Sequence, residues 1–136
     1  MITIMRRIKF LKSQFETIQS ESRRLARAGG REKCGLILDN GYFLELIEVR
    51  NKIKGGGGFA FYYNDVRAIS KWAALCKHHV VGSFHSHPVG LAEPGPSDLH
   101  NAVDESLMLI FDVVEGSGAL WFIKNHRKIK RTFILI

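Results

Sequence analysis

One short segment, residues 80 to 88, constrains the fold of this chain more than any other part of the sequence. Its apolar first part, residues 80–84, predicts a buried β-strand that ends at His85. Side chains two positions apart on a strand point to the same side of the sheet, so the imidazoles of His85 and His87 are expected to converge on one point. Pro88 cannot donate a hydrogen bond to a neighbouring strand and is expected to end this one.

The rest of the chain predicts short strands interleaved with helices. Helices are predicted over residues 12–28 and from Asn64 or Asp65, as the cap, to residue 77, and a third is predicted to begin at Ser97-Asp98. The second helix is expected to bury one side, formed by Val66, Ile69, Trp72, Ala73 and Cys76. Strands are predicted at residues 2–10, 34–38, 42–50, 59–63, 80–84, 107–113, 119–124 and 128–134. This order predicts an α/β fold with one mixed, largely antiparallel sheet flanked by helices, in a single domain spanning residues 1–136.

Composition places few limits on function. The 136 residues suffice for one domain with a core, and the net charge is +7. The basic residues cluster at positions 23–31 and 124–131, which could attract nucleic acid, an acidic protein or a membrane. A solvated basic surface explains these clusters more simply, so we do not expect a nucleic-acid partner on this ground alone.

The cysteines and the apolar segments favour a cytoplasmic location. Cys34 and Cys76 are too few for a disulfide framework, and their apolar neighbours predict two buried, reduced thiols. No signal peptide is recognisable, because the basic residues follow the apolar start of the chain instead of preceding it. No apolar run is long enough to cross a bilayer, so no membrane partner is expected.

Two carboxylates indicate the chemistry in which the histidine pair could take part. Asp98 follows His87 by eleven residues, after a loop rich in glycine and proline that could return it to the histidines. Two imidazoles and a carboxylate make a three-ligand zinc site with one position open for water. Glu32, just before the predicted strand at residues 34–38, is the candidate for moving the water's proton. These are the parts of a metal-dependent hydrolase.

The chain resembles the JAMM-motif metalloproteases of the JAB/MPN/Mov34 superfamily, including its small prokaryotic members. The resemblance extends from Glu-Lys-Cys-Gly at residue 32, through His-Ser-His-Pro at residue 85 and Ser-Asp at residue 97, to about Val113. It implies a cytidine-deaminase-like α/β/α fold, with Glu32 as general acid and base and with His85, His87 and Asp98 as ligands of Zn²⁺. It also implies hydrolysis of a peptide or isopeptide bond at the C-terminus of a ubiquitin-like or sulfur-carrier-like protein.

One position departs from the family pattern. The family usually has a serine three residues before the aspartate, where it helps to stabilise the oxyanion, and this chain has Gly95 there. Ser97 is the nearby hydroxyl and is the candidate to take that catalytic role; a backbone N–H or water is the alternative. The loss of one oxyanion donor costs roughly 3 kcal/mol of transition-state stabilisation.

Two other functions fit the sequence. Gly95 also suits a catalytically silent MPN-type scaffold that binds a partner, although the four site residues are all present. The basic charge and the His-x-His-Pro loop suit, less well, a JAB domain associated with DNA. The sequence leaves the particular substrate, the oligomeric state and the role of the glycine run at residues 55–58 open.

Overall fold

The computed structural model describes residues 7–54 and 57–136. It contains three helices and eight strands among these residues. The helices are α1 (Lys12–Arg27), α2 (Tyr63–Leu75) and α3 (Pro96–Asn101). The strands are β1 (Lys9–Phe10), β2 (Cys34–Asp39), β3 (Leu44–Val49), β4 (His79–His87), β5 (Ser106–Asp112), β6 (Ser117–Lys124), β7 (Arg127–Arg131) and β8 (Ile134–Leu135).

All eight strands belong to one mixed sheet in the order β7-β6-β5-β4-β2-β3-β1-β8. The β2–β3, β2–β4, β5–β6 and β6–β7 pairs are antiparallel, whereas β4–β5, β1–β3 and β1–β8 are parallel. The mixed α/β fold predicted from the sequence is therefore confirmed. β4 lies between β2 and β5 and carries the two histidines at the centre of the sheet.

Alternating side chains of the strands build a separate core on each face of the sheet. On one face, Phe15 and Ile18 of α1 pack with a cluster that includes Ile37, Phe84 and Phe111. On the other face, α2 packs over β2 and β3 through Ala73, Val66 and Ile69. Leu99 of α3 packs over β5 and β6 beside Met108 and Ile110. This arrangement leaves the surface above β4, between α2 and α3, as an open groove.

The two ends of the sheet lie close together. Arg131 ends β7 at one edge of the sheet, and Ile134 begins β8 at the opposite edge. Three residues of extended chain reach at most about 10 Å, so the sheet curls strongly. The Ile134 N–H donates to Ile8 O at 2.9 Å, which fixes β8 beside the segment leading into β1. The predicted single strand at residues 128–134 is wrong, because the chain leaves one edge of the sheet and joins the other.

Other strand predictions differ from the structure in extent. Of the strand predicted at residues 2–10, the described part holds only Lys9–Phe10; residues 2–6 lie outside the described part of the chain. β4 continues through both histidines instead of ending at the first, and Val80 near its start is exposed. The strand predicted at residues 59–63 is wrong, since Phe61 forms one isolated bridge with Asn51 and Tyr63 already belongs to α2.

The start and the inner face of α2 also differ from expectation. Tyr62 occupies the N-cap position with no side-chain cap, and Asp65 instead accepts two hydrogen bonds of 3.1 Å from the Arg50 guanidinium. Trp72 is 46% exposed and packs edge-on against His78. Cys76 is exposed because it caps the end of the helix, so its predicted burial is wrong.

The two thiols are expected to differ sharply in reactivity. Cys34 is buried and its thiol lies 3.5 Å from Val49 O, and burial first, then the nearby carboxylate of Glu32, raises its pKa to about 12. Alkylation needs the thiolate. At pH 8, iodoacetamide should therefore modify Cys76 in the native protein and reach Cys34 only after unfolding. Peptide mass spectrometry of the wild type and of Cys76→Ser measures this; native modification of Cys34 would contradict it.

No described helix combines the length and the apolar character that a membrane crossing requires.

Candidate metal centre

The two histidines lie at the C-terminal end of β4. His85 is paired with Cys34 of β2 and Ile110 of β5, and its side chain is fully buried. His87 is paired only on the β5 side, with Asp112, and its side chain is 18% exposed. β4 ends at His87, immediately before Pro88. The imidazole of His85 is therefore held inside the sheet, while that of His87 faces the groove.

Three side chains form a small triangle at this point. His85 Nε2 lies 3.1 Å from His87 Nε2. Asp98 places Oδ1 3.4 Å from His85 Nε2 and Oδ2 3.3 Å from His87 Nε2. Ligand atoms of a tetrahedral zinc ion with bonds of about 2.0–2.1 Å lie about 3.3 Å apart. The described residues contain one group of three side chains able to hold a metal, and it is this one.

The hydrogen bonding of His87 suits a metal ligand. Its Nδ1 lies 2.8 Å from Leu91 O, a carbonyl that can only accept, so Nδ1 carries the proton and donates. Nε2 then carries the lone pair and points into the triangle. A second Nε2 lone pair at 3.1 Å would repel it unless a proton or a cation lay between them. A carbonyl that fixes the tautomer in this way is a common partner of metal-binding histidines.

Outside the triangle, the described residues hold the ring of His85 by packing and not by a hydrogen bond. Its Nδ1 is buried without a hydrogen-bond partner among the described residues. The ring of Phe59 stacks on the imidazole with centroids 4.5 Å apart and an interplanar angle of 26°. The residues present therefore suit a zinc ion by donor type and spacing, and His87 also by its tautomer, while Phe59 shields one side of the site from water.

α3 fixes the third candidate ligand. Asp98 lies in the first turn of this helix, and its Oδ2 accepts a hydrogen bond of 2.9 Å from the Gly95 N–H. Burial alone would raise the pKa of the Asp98 carboxyl, but the contacts with both histidines and the Gly95 N–H together hold it well below its usual range. Contact with Asp98 in turn raises the pKa of His87, against the opposing effect of burial. The carboxylate is thus ionised at neutral pH, as a metal ligand must be.

Glu32 lies beside the triangle at the entrance to β2. Its side chain is 8% exposed, and Oε2 accepts a hydrogen bond of 2.6 Å from the Gly58 N–H. Burial raises the pKa of its carboxyl, while the nearby His85 and the Gly58 N–H partly oppose this effect. A carboxyl whose pKa is raised towards neutrality is better able to accept and release a proton. Glu32 thus lies close to both histidines and Asp98, and its role as general acid and base stays a prediction.

A reciprocal pair of hydrogen bonds connects the histidine strand to the Glu32 segment. The Lys33 N–H donates to Ser86 Oγ at 2.8 Å, and the Ser86 N–H donates to Lys33 O at 2.9 Å. The buried Lys33 ammonium also contacts Glu21 of α1 at 2.6 Å and Glu48 of β3 at 2.8 Å. Ser86 thus has a structural role between the two candidate ligands. It fixes Glu32 relative to His85 and His87.

Ser97 occupies an exposed position on α3, on the lining of the groove. Its hydroxyl accepts a hydrogen bond of 3.4 Å from Asn101 Nδ2. Gly95 lies nearer the triangle through its bond to Asp98. A catalytic role for Ser97 stays a prediction.

Sequence reasoning missed three residues that shape the site. Gly58 holds the Glu32 carboxylate, Phe59 covers His85, and Asn51 binds the backbone on both sides of them. Residues 58–60 were predicted to be a loop end and a strand, and Asn51 followed a predicted strand. No spacing or motif marks these residues, because their contacts with Glu32 depend on the path of a glycine-rich loop.

The candidate metal centre opens into the groove between α2 and α3. This groove has a volume of about 1540 Å³ and its lining combines polar site residues with apolar ones. Glu32, His87 and Asp98 line one part of it, and Val80, Ser83 and Val103 line another. The glycines Gly57 and Gly58 lie on its rim, next to Gly55 and Gly56, which are outside the described residues.

The fold and the site together define a domain of the JAB/MPN type. A crystal structure of a JAB1/MPN domain protein from Archaeoglobus fulgidus superposes with a TM-score of 0.58 at 15% identity, covering 96% of this chain and 100% of that one. A structure described as a JAMM, metalloprotease-like zinc site in the proteasome and signalosome gives 0.51 at 15% identity, with the same coverage. A solution structure of a Desulfitobacterium hafniense protein gives 0.77 at 22% identity, covering 95% of this chain and 92% of that one.

Residues 16–124 match the family described as prokaryotic homologs of the JAB domain. The chain belongs to this family, as the sequence motifs predicted. No curated protein matches the chain significantly in sequence.

Proposed function

We propose that this protein is a zinc-dependent metallopeptidase or isopeptidase. The observation that carries the proposal is the triangle of His85, His87 and Asp98 with the buried carboxylate of Glu32 beside it. Membership of the JAB family and the likeness to a metalloprotease-like zinc site support it. Two free cysteines fit a reducing compartment, and we propose the cytoplasm as the location.

Separate residues of this chain would hold the metal ion and transfer the proton. A zinc ion held by His85, His87 and Asp98 would polarise the scissile carbonyl and acidify a water molecule. The Gly58 N–H fixes Oε2 of Glu32, which leaves Oε1 to take the proton of the attacking water. Glu32 then gives this proton to the leaving nitrogen as the C–N bond breaks. Phe59 keeps bulk water off one side of His85.

We propose the C-terminal region of a ubiquitin-like or sulfur-carrier-like protein as the substrate. The support is the family resemblance, together with a groove that leads away from the metal centre and can accept an extended chain. The exposed apolar side chains of Val80 and Val103 on its lining suit the contacts that a bound peptide segment would make.

Cleavage of model fusions tests the proposed activity. Zinc-loaded protein is incubated with a panel of ubiquitin-like and sulfur-carrier-like proteins that carry a C-terminal extension. Intact mass spectrometry should show hydrolysis at the C-terminus of the folded part of at least one fusion. A chelator such as 1,10-phenanthroline should stop the cleavage, and added zinc should restore it. No cleavage of any fusion by protein shown to hold one zinc ion would contradict the proposal.

A catalytically silent binding scaffold is the second candidate, and Gly95 is the observation that favours it. The position has no hydroxyl, and its N–H is engaged by Asp98. The scaffold would bind a partner with the same fold and metal site but without turnover. Binding of a fusion that is never cleaved, measured by calorimetry with zinc-loaded protein, would favour this function over the peptidase.

Restoring the serine separates these two candidates. A Cβ at Gly95 would meet only Asp98 Oδ2, at 3.8 Å, and the backbone φ of −81° suits any residue. Gly95→Ser should therefore fold normally. It should raise kcat by on the order of 100-fold if an oxyanion donor is regained. Gly95→Ala is the matched control, since it adds the Cβ without the hydroxyl. Equal rates for the two variants would show that this position supplies no missing donor.

A further inference from the structure

The side chain of Asn51 joins the two segments that hold the proposed general base. Asn51 is 6% exposed and follows β3, away from the three candidate ligands. Its Nδ2 donates to Glu32 O at 2.9 Å and to Gly58 O at 3.2 Å. Its Oδ1 accepts from the N–H groups of Ile53 at 3.0 Å and Ala60 at 3.2 Å. The amide thus uses both of its donors and both acceptor lone pairs.

These contacts form a closed ring that includes the Glu32 side chain. Asn51 binds the backbone carbonyl of Glu32 at one end of the ring and that of Gly58 at the other. The Gly58 N–H closes the ring on the Glu32 carboxylate at 2.6 Å. A residue that only stabilised a turn would need no contact with Glu32. The ring therefore couples the position of the carboxylate to the position of the loop.

The backbone of Asn51 strengthens this connection. Arg31 donates through Nη2 to Asn51 O at 2.7 Å, which binds the residue preceding Glu32 as well. The Lys52 N–H donates to Ala60 O at 2.8 Å, and Asn51 forms an isolated antiparallel bridge with Phe61. Glycines at 57 and 58 have positive φ angles of 86° and 122°, a conformation with no side chain to restrain it. The hydrogen bonds of Asn51 supply the restraint that the glycines lack.

We infer that Asn51 is a positioning residue that holds the Glu32 carboxylate in place by fixing Gly58 against it. The inference rests on the proposed function insofar as Glu32 moves a proton, but the geometric coupling can be measured without any substrate. The side-chain hydrogen bonds of Asn51 include none of the three candidate metal ligands, and Asn51 does not line the groove where a substrate would react. Its effect on catalysis should therefore pass entirely through Glu32.

Amide exchange of the zinc-loaded protein tests the coupling directly. In ¹⁵N-labelled wild type, the N–H groups of Gly58 and Ala60 should be protected, and Asn51→Ala should speed exchange at Gly58 on the order of tenfold or more. Asn40→Ala is the matched control, because Asn40 binds the turn N–H groups of Tyr42 and Phe43 at 2.9 Å far from the site. An unprotected Gly58 in the wild type, or unchanged protection in Asn51→Ala, would overturn the inference.

Kinetics with a fusion that the wild type cleaves test the route of the effect. Asn51→Ala should lower kcat on the order of 10- to 100-fold with little change in KM and with zinc content unchanged, because misplacing a reacting group costs this much. The same substitution in a Glu32→Gln background should cost nothing further. A full additional loss in that background, or loss of zinc, would show that Asn51 acts elsewhere. If no fusion is cleaved, the proposed function fails while the exchange measurement still decides the coupling.

Asn51→Asp provides the test if the alanine variant does not fold. It retains an acceptor for Ile53 and Ala60 but replaces both donors with an oxygen that faces two carbonyls. Exchange at Gly58 should accelerate in this variant too, and kcat should fall in the same direction. Normal protection of Gly58 with normal kcat in a folded Asn51→Asp variant would overturn the inference.

Discussion

Asp98→Ala is expected to lose the zinc ion that we expect the wild-type protein to bind at about one per chain. The substitution removes one of three ligands and the negative charge that offsets the cation. The loss of affinity should exceed about 100-fold, because even the outer partners of ligands contribute about 10- to 100-fold. Elemental mass spectrometry of both proteins, after zinc reconstitution and gel filtration, measures the stoichiometry. The zinc-dependent rise in melting temperature should disappear along with the metal.

Asp65→Ala is the matched control for this experiment. Asp65 lies in the first turn of α2, as Asp98 lies in the first turn of α3, but it pairs with Arg50 instead of the histidines. The control should keep one zinc ion per chain. Stoichiometric zinc in Asp98→Ala, or none in the reconstituted wild type, would refute the assignment of the metal centre.

Glu32→Gln is expected to abolish most of the turnover and leave the metal in place. Gln retains the size of the side chain and an oxygen for the Gly58 N–H, but it cannot accept the proton. Removal of a general acid–base group lowers kcat by about 10²- to 10⁴-fold. Folding stability should not fall, because burial disfavours the charged carboxylate that the variant removes. Single-turnover kinetics, zinc analysis and thermal melts of the same preparation measure the three properties.

Glu16→Gln serves as the control for this variant. Glu16 is an exposed residue of α1, on the opposite side of the sheet, and its carboxylate lies 3.9 Å from the Lys12 ammonium. Its substitution should leave kcat and zinc unchanged. If Glu32→Gln cleaves a fusion at the wild-type rate, the proton must be moved by another group.

The residues predicted with most success lie in segments that carry their own structural signal. The i and i+2 spacing of His85 and His87 needs only a strand to bring the imidazoles together. α1 spans nearly the predicted range because its apolar positions repeat at helical spacing. Local pattern was sufficient for these elements.

The predictions that were wrong concern residues whose conformation depends on contacts elsewhere in the chain. The segment at residues 59–63 has the composition of a strand, but the side chain of Asn51 holds its backbone and leaves one bridge to Phe61. Asp65 could have capped α2 but pairs with Arg50, the residue that follows β3. Each outcome depends on a partner that lies outside the segment concerned.

The near-closure of the sheet has a consequence for the order of events during synthesis. The elements around the candidate metal centre, β2, β4, α3 and β5, are complete by Asp112, whereas β8 pairs with β1 across more than a hundred residues of sequence. Contacts so distant along the chain form late, because the loop between them must close first. A ribosome would therefore have exposed the segments bearing the histidines, Glu32 and Asp98 before the strand that completes the sheet emerged. Zinc bound at that stage would stabilise a nascent chain whose sheet is still open at both edges.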